Sequence, residues 1–236
     1  LPGRDDHERL YGALNPYLHQ VSGDEMAVSD LLESASDGAT ISLPRLLSLV
    51  VLRVAPYAPA ETLESLYGER YSLQREVIAD AHTLAAVVDA CGKSGYGGLA
   101  ASLCLRSATS LDEAYECALR HRLNVIRALR VCWERQDGSG VVNVEDPSVA
   151  SDVADAFSRD CLQDGPVVAV ATQEDDFAFV SVRVVRGRDI DISEPVHDAA
   201  VQAGGVGGGH RRRAGATVPA GRLLQFMESL RKAVAA

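Results

Sequence analysis

The feature that most constrains the fold of this chain is a change in the spacing of its apolar residues near residue 138. Before that point, apolar residues recur at three- and four-residue intervals, as they do on the buried face of a helix. After it, short β-branched runs alternate with helical patterns, which is typical of α/β layer structures. We therefore predict an α/β protein: a helical N-terminal region with a long connecting helix, followed by a small α/β domain with a mixed sheet.

The segments that carry these two patterns can be bounded from the sequence. Predicted helices of the first part lie at 5–21, 42–55, 72–92, 97–108 and 110–138. Predicted strands of the second part lie at 141–145, 166–172, 177–185 and 214–219, and predicted helices at 149–158, 194–205 and 220–234. Ser42 and Ser72 are predicted N-caps, because a serine side chain can accept a hydrogen bond from a free N–H of the first turn.

The helix at 110–138 is the clearest element. Ser110 and Glu113 form a capping-box pattern, and an Asp-Gly pair ends the helical run. A helix of about 25 residues is nearly 40 Å long at 1.5 Å per residue, which is enough to bridge two lobes. We accordingly predict two domains, residues 1–137 and residues 138–236.

The composition restricts the surroundings and the partners of the chain. Its 236 residues carry a net charge of −10, which argues against unspecific coating of nucleic acid but allows a local basic groove. No run of about 18 uncharged apolar residues occurs, so no membrane span is predicted. The five cysteines are an odd number without a CxxC pair, which favours buried thiols in a reducing cytoplasm. The chain begins LPGRDDHERL, and we expect it to be a piece of a longer protein.

The segment GGVGGGHRRRAGATV, residues 204–218, is the candidate site. Glycines can adopt positive φ and let backbone N–H groups approach an anion closely. His210 and the three arginines that follow it add donors suited to phosphate. A phosphate-binding loop is one interpretation, and a mobile, solvated loop is the alternative.

Residues 87–107, 181–184 and 207–215 form three blocks that resemble the archaeal RecJ-like branch of the DHH phosphoesterase family. Residues 207–215 are similar to the glycine-rich signature of the DHH-associated C-terminal domain, roughly G-G-G-H-x-x-A-A-G, from which Arg213 departs. Ser181 and Arg183 match a Ser-x-Arg-Ser strand, whose second serine is Val184 here. The third block, residues 87–107, resembles an Asn-Ala-Cys-Gly-Arg segment in which this chain has Asp89 and Lys93 as departures.

This resemblance implies a division of labour between two domains. An N-terminal DHH domain would hold two divalent metals, Mn²⁺ or Mg²⁺, that activate water for attack on phosphorus. The C-terminal domain would bind the phosphate and the terminal nucleotide of a single-stranded nucleic acid. The residues that the resemblance assigns to this binding are Ser181, Arg183, Gly207, Gly208, Gly209, His210, Arg212 and Gly215.

The metal-binding half is not found in this sequence. Only RDDHE at residues 4–8 approaches a DHH-type ligand set, and its aspartates are better explained as charges favoured at a helix N-terminus. We therefore expect no catalytic and no metal-binding residue in this segment, which would bind its substrate without cutting it.

Three functions remain open at this point. The first is the substrate-binding part of a RecJ-like single-strand-specific exonuclease or related phosphodiesterase of DNA replication or repair. The second is a non-catalytic scaffold that docks to the GINS complex. The third is a phosphatase of short oligonucleotides or cyclic dinucleotides, which the long helical first half disfavours. Further candidate nucleic-acid contacts, with a solvated helix face as the alternative, are Arg120, Arg122, Arg127 and Arg130. Lys93 is a candidate phosphate contact, with a charge at a helix C-terminus as the alternative.

Overall fold

The structure, a computed structural model, describes residues 1–38, 40–134 and 141–235. The chain divides into two compact units, Leu1–Arg127 and Ala128–Ala236. The predicted domain boundary between residues 137 and 138 lies outside the described residues, as does the predicted end of the long helix, so both stay predictions.

The first unit is helical, as predicted. Its helices are α1 (Asp6–Tyr11), α2 (Glu25–Ala35), α3 (Leu43–Val54), α4 (Ala60–Glu64), α5 (Ala81–Lys93), α6 (Gly97–Cys104) and the greater part of α7 (Leu111–Glu134). Two short strands, β1 (Ser36–Asp37) and β2 (Thr40–Ile41), pair between α2 and α3. The 24 residues of α7 confirm the long helix and span about 36 Å.

A buried ion pair ties the start of the chain to α7 within this unit. Arg122 Nη2 donates to Glu8 Oε1 at 3.1 Å, and both side chains are 7% exposed. Arg122 Nη1 also donates to the carbonyl of Pro2 at 2.7 Å. Burial lowers the pKa of Arg122, although the carboxylate of Glu8 opposes that shift. Arg122 is therefore a structural residue, and the hypothesis that it lines a nucleic-acid groove is wrong.

The predicted helix at 5–21 is wrong beyond its first turns. α1 ends at Tyr11, before Gly12, and Pro16 has no N–H with which to continue a helical hydrogen-bond ladder. The apolar spacing still marked buried positions, because Leu18 and Val21 are fully enclosed in the core of this unit.

The predicted helix at 72–92 begins eight residues later than expected. α5 starts at Ala81, and its N-cap is Asp80, whose Oδ1 accepts from the backbone N–H of Thr83 at 2.8 Å. Ser72 instead forms a bridge with Asp80. Ser42 does stand at the N-cap position of α3, but its side chain makes no capping hydrogen bond.

The second unit is built on a mixed sheet of five strands, which confirms the predicted fold class. In chain order the elements after α7 are β3 (Val141–Asn143), α8 (Ala150–Asp160), β4 (Val167–Glu174), β5 (Phe177–Val184), α9 (Ser193–Gln202), β6 (Val206–His210), β7 (Arg213–Pro219) and α10 (Leu223–Ala235). The strand order is β3-β4-β5-β7-β6; β3 pairs with β4 in parallel, and the other pairs are antiparallel.

The helices of this unit cover the two faces of the sheet unequally. α9 and α10 pack on one face, where Val182, Ala216 and Val218 meet Val196 and Phe226 in a continuous apolar core. α8 packs on the other face, over β4 and β5. Along β7, buried residues that face α9 and α10 alternate with residues that stay partly or fully exposed. The exposed part of this second face is where the candidate site lies.

We predict that the charge of Asp80 stabilises the fold at neutral pH. Burial alone would raise the pKa of Asp80, but hydrogen bonds from Thr83 and the nearby Arg70 lower it overall. A carboxyl group whose pKa is lowered by folding stabilises the folded state at pH values above its unfolded pKa. This stabilisation is lost as the pH falls through the folded pKa. Asp80→Asn should reduce the free energy of unfolding at pH 7 by about 0.5–1 kcal/mol. Urea titrations at pH 7 and in acid measure the effect, and a difference that does not shrink in acid would contradict the prediction.

Candidate functional site

Three rows of residues cross the sheet where β5, β7 and β6 lie side by side. Residues directly opposite each other on neighbouring strands point to the same face. The strand register defines a cationic row (Arg183, Arg213 and His210), a glycine row (Ser181, Gly215 and Gly208) and an apolar row (Phe179, Thr217 and Val206). Successive rows are two residues apart on each strand, so all three lie on one face. Because Arg183 contacts α8, this is the face on which α8 packs.

The cationic row opens into a pocket of about 510 Å³. We call it the cationic pocket; its lining residues are Asp155, Ser158, Arg159, Arg183, Val184, Arg186, His210, Arg211, Arg212 and Arg213. Among the residues that the structure describes, six arginines thus line the pocket against one carboxylate, in a chain whose net charge is −10. Such a concentration of guanidinium groups can bind an anion through charge-assisted, often bidentate hydrogen bonds.

Arg183 is the buried centre of this pocket, with an exposed fraction of 8%. Its Nε donates to Asp155 Oδ1 at 2.5 Å, its Nη2 donates to Ser151 Oγ at 2.8 Å, and its Nη1 donates to the carbonyl of Val182 at 3.0 Å. Arg213 Nη2 lies 3.3 Å from the same carboxylate oxygen of Asp155. Asp155 therefore holds two of the three members of the cationic row.

The arginine turn between β6 and β7 is fixed by its backbone. The carbonyl of Arg212 accepts from the N–H of Val184 at 3.1 Å, and the carbonyl of Arg211 accepts from the N–H of Ile192 at 3.0 Å. The side chain of Arg211 pairs with Asp189 at 2.7 Å, and Arg212 Nη1 donates to the carbonyl of Arg188 at 3.1 Å. The arginines are held in place by the sheet and the segment before α9.

The glycine-rich segment is an edge strand, so the predictions of a phosphate-binding loop and of a mobile loop both have the wrong local structure. Gly207 faces α9: a Cβ added to it would lie 2.8 Å from the Cβ of Ala200. Gly209 packs against β7, since an added Cβ would lie 2.5 Å from the Cα of Ala214. Gly208 is different, because an added Cβ would meet no atom within 4 Å. Of these three glycines, only Gly208 exposes its backbone to open space on the sheet face that carries the cationic, glycine and apolar rows.

A second hollow lies beside the cationic pocket, over the glycine and apolar rows. We call it the glycine groove; its volume is about 670 Å³, and its lining residues are Pro147, Ala150, Ser151, Thr172, Glu174, Phe179, Val180, Ser181, Val206, Gly207, Gly215, Ala216 and Thr217. Ser151, which lines the groove, accepts from Arg183, which lines the cationic pocket. The two hollows therefore meet at this hydrogen bond.

The structure brings most of the predicted site residues together. Arg183 and His210 lie in one row, and Ser181, Gly208 and Gly215 lie in the next. Arg212 lines the cationic pocket from the turn. Gly207 and Gly209 differ from these, because their missing Cβ atoms make room for α9 and for β7.

The sequence interpretation missed the contribution of α8. This helix lines the glycine groove with Ser151 and the cationic pocket with Asp155 and Arg159, and the three residues are spaced four apart. Residues at that spacing lie on one helix face, so a polar stripe was visible in the sequence. Which strand this stripe would contact could not be read from the helix alone. Thr172 and Phe179 were missed as well, because a strand of apolar residues gives no sign of a groove above it.

Of the other candidate contacts, Lys93, Arg120 and Arg127 are engaged locally within the first unit, whereas Arg130 lies in the part of α7 that belongs to the second unit. Lys93 Nζ pairs with Asp89 at 2.7 Å, one turn earlier on α5. The guanidinium of Arg120 lies 6.0 Å from the ring centre of Tyr96, and Arg127 Nη1 donates to Asn124 Oδ1 at 3.0 Å. These contacts are those of ordinary helix surfaces.

Within residues 1–38, 40–134 and 141–235, no group of three or more His, Cys, Asp or Glu side chains could hold a metal ion. The helices described in those same ranges include none that is long and apolar enough to span a bilayer. All five cysteines are free; Cys104 is exposed, and the others are buried as predicted. Burial, with Cys117 close by, raises the pKa of Cys91 to about 12, so its thiol is neutral at physiological pH.

Comparison with known proteins finds one family model that matches the second part of the chain. Residues 139–236 match the DHHA1 domain. This match confirms the predicted likeness of the C-terminal part to a DHH-associated domain, and the archaeal RecJ-like assignment stays a prediction. No curated protein is significantly similar to the chain.

Solved structures similar to this chain include two proteins. The C-Ala domain of alanyl-tRNA synthetase from Aquifex aeolicus is 17% identical, over 41% of this chain and 87% of that chain, with a TM-score of 0.35. RecJ from Thermus thermophilus in complex with Mn²⁺ is 19% identical, over 66% of this chain and 24% of that chain, with a TM-score of 0.45. RecJ from the same organism in complex with Mg²⁺ is 18% identical, over 66% of this chain and 25% of that chain, with a TM-score of 0.44. The chain spans about a quarter of the length of RecJ.

We predict that Gly207 is required for packing. Gly207→Ala should reduce the free energy of unfolding by about 1–3 kcal/mol, because the new methyl group must displace α9 at Ala200. Gly221→Ala is the matched control, since its Cβ would meet no atom within 4 Å, and it should change stability by less than about 0.5 kcal/mol. Urea denaturation measures both variants. Equal stability of the two variants would show that the approach of α9 does not depend on Gly207.

Proposed function

We propose that residues 139–236 bind the phosphate of a single-stranded nucleic acid in the cationic pocket, as the substrate-binding part of a DHH-family phosphodiesterase of the RecJ-like kind. The observation that carries this proposal is the row of Arg183, Arg213 and His210 on the sheet face that α8 partly covers. The DHHA1 match of the same residues supports it. Phosphate contacts of this kind hold a strand in position without reading its sequence.

The proposed phosphate ligands divide into a buried and an exposed group. Arg183 is buried and fixed, so it would supply a rigid charge at the base of the pocket. His210, Arg212 and Arg213 are exposed, and they would close on the phosphate from the turn. The bare backbone of Gly208 would allow the strand to approach the sheet closely.

The metals that the family resemblance implies do not fit the described residues of this chain. No group of suitable ligands occurs among them, so Mn²⁺ or Mg²⁺ would have to be held by residues outside the part that the structure describes. We therefore assign binding and orientation of the substrate to this chain and derive no step of the hydrolysis from it. A role in DNA replication or repair belongs to the same proposal.

Two substitutions test the proposed phosphate contacts directly. His210→Ala and Arg212→Ala should each weaken binding of a single strand phosphorylated at both ends by about three- to tenfold, because each removes a charge-assisted or polar hydrogen bond to phosphate. For Arg212→Ala, the slope of log affinity against log salt concentration should also become shallower by about one, because one phosphate contact is lost.

Fluorescence anisotropy of a labelled strand over a range of salt concentrations measures both effects. Arg222→Ala is the matched control, because Arg222 is an exposed arginine of the same unit that lies outside both hollows. Wild-type affinity in both His210→Ala and Arg212→Ala would show that the assigned contacts are wrong.

A non-catalytic scaffold, for which docking to the GINS complex was the sequence hypothesis, is the second candidate. The observation that favours it is that the three guanidinium nitrogens of Arg183 all donate to groups of the protein, which takes up three of its five N–H donors. In a scaffold the pair of Arg183 and Asp155 would serve only to fix α8 on the sheet. The two candidates differ in what removal of the Asp155 charge should do.

For a phosphate-binding pocket we predict that Asp155→Asn strengthens binding of the phosphorylated strand. The substitution keeps a hydrogen-bond acceptor for Arg183 but removes the negative charge that Arg183 and Arg213 share. Affinity should rise about three- to tenfold, because Coulomb attraction at these distances is strong where water is partly excluded. Stability should fall by about 1–3 kcal/mol, because a partly buried ion pair is broken.

Asp198→Asn is the control for total charge, since Asp198 is exposed on α9, on the other side of the sheet. Anisotropy titrations compare the two variants with the wild type. An Asp155→Asn variant that loses stability without any gain in affinity would favour the scaffold.

A further inference from the structure

The glycine groove has a second end, formed by the apolar row. Phe179 is 39% exposed and Val206 is 70% exposed, although both belong to strands of a packed sheet. Together with Thr217 they form an apolar surface beside a strongly cationic one. Neighbouring surfaces of such different character point to a ligand that has a charged part and a flat apolar part.

A buried hydroxyl lies at the floor of this end of the groove. Thr172 of β4 stands directly opposite Phe179 of β5, lines the groove and is only 4% exposed. Its Oγ1 has no hydrogen-bond partner among the described residues. A buried hydroxyl without a partner is costly, and it can both donate and accept a hydrogen bond. This Oγ1 is covered by its neighbours, so a polar atom of a ligand in the groove would bond to it once the side chain rotates towards the groove.

The spacing of the three rows matches the layout of one nucleotide. At about 3.3 Å per residue, neighbouring rows are about 6.6 Å apart, and the cationic and apolar rows are about 13 Å apart. The middle row consists of Ser181 and two glycines, so it leaves room above the sheet for a sugar. A phosphate at the cationic row thus leaves a base within reach of Phe179.

The far end of the groove carries a carboxylate. Glu174 lines the groove and lies opposite Phe177, one row beyond Phe179. A negative charge there repels a further phosphate, since exposed like charges within a Debye length repel each other. The groove is therefore suited to a strand terminus, with its phosphate at the cationic row and no phosphate beyond the apolar row.

We propose that Phe179 and Thr172 form a nucleobase subsite, in which the terminal base stacks on the Phe179 ring and hydrogen-bonds to Thr172 Oγ1. The subsite rests on the proposed binding of phosphate in the cationic pocket. Stacking on an aromatic side chain is tolerant of base identity, whereas one hydroxyl adds a contact to the polar edge of the base. The occupant is thus a terminal nucleotide of a single strand.

The test compares two single strands of about eight nucleotides, both phosphorylated at both ends. One strand carries thymine at every position, and the other lacks the base of the nucleotide at each end. The wild-type chain should bind the first strand about tenfold more tightly, because only this strand can stack on Phe179. Phe179→Ala should bring the ratio of affinities close to one and leave the affinity for the abasic strand unchanged.

Phe177→Ala is the matched control, since Phe177 is an exposed phenylalanine on the same strand and face that does not line the groove. It should keep the ratio of the wild type. A wild-type ratio near one, with binding that still depends on the terminal phosphates, would overturn the base subsite and leave the phosphate contacts intact. Binding that does not depend on the phosphates would overturn the proposed function, and the subsite with it.

Thr172→Val separates the hydroxyl from the packing of its side chain, because valine has nearly the same shape. The variant should have a higher melting temperature, since it removes a buried hydroxyl without a partner among the described residues. It should also lower the ratio of affinities about two- to fivefold if Oγ1 contacts the base. A more stable variant with the ratio of the wild type would show that Thr172 takes no part in binding.

Discussion

The register of β5, β7 and β6 is the constraint on which the candidate site depends. Three strands that are separated in the sequence contribute one residue each to every row, and a shift by one residue would turn each row to the opposite face. The apolar core beneath β7 fixes that register, because Ala214, Ala216 and Val218 must face α9 and α10. Burial on one side of the sheet thereby determines which charged and bare positions are presented on the other side.

The ion pair between Arg183 and Asp155 connects this sheet face to α8 and balances its charge. Without the carboxylate, a largely buried guanidinium would stand beside Arg213 with no counter-charge, which is unfavourable in an environment of reduced dielectric constant. Because this ion pair holds α8 on the sheet, α8 forms one side of both the cationic pocket and the glycine groove. Asp155 lies between two arginines, so its carboxylate neutralises part of the charge of the cationic row.

The sequence predicted the elements better than their boundaries. All four strands predicted after residue 138 and the three helices among them are present, because β-branched runs and helical apolar spacing differ clearly in period. The helix expected at 5–21 ended early, at Tyr11, and the N-cap of α5 was Asp80 instead of Ser72. Several serines and aspartates can cap a helix, and only the tertiary contacts of the preceding segment decide which one does.

By itself, the sequence determined the fold class, the motif residues and the cluster of arginines beside the glycines. Only the tertiary structure decided that these glycines form an edge strand, where Gly207 makes room for α9 and Gly208 faces open space. It also decided that Asp155, Thr172 and Phe179 lie beside the motif. The physical reason is that composition and period act along the chain, whereas strand register and helix packing join residues that are distant in the chain.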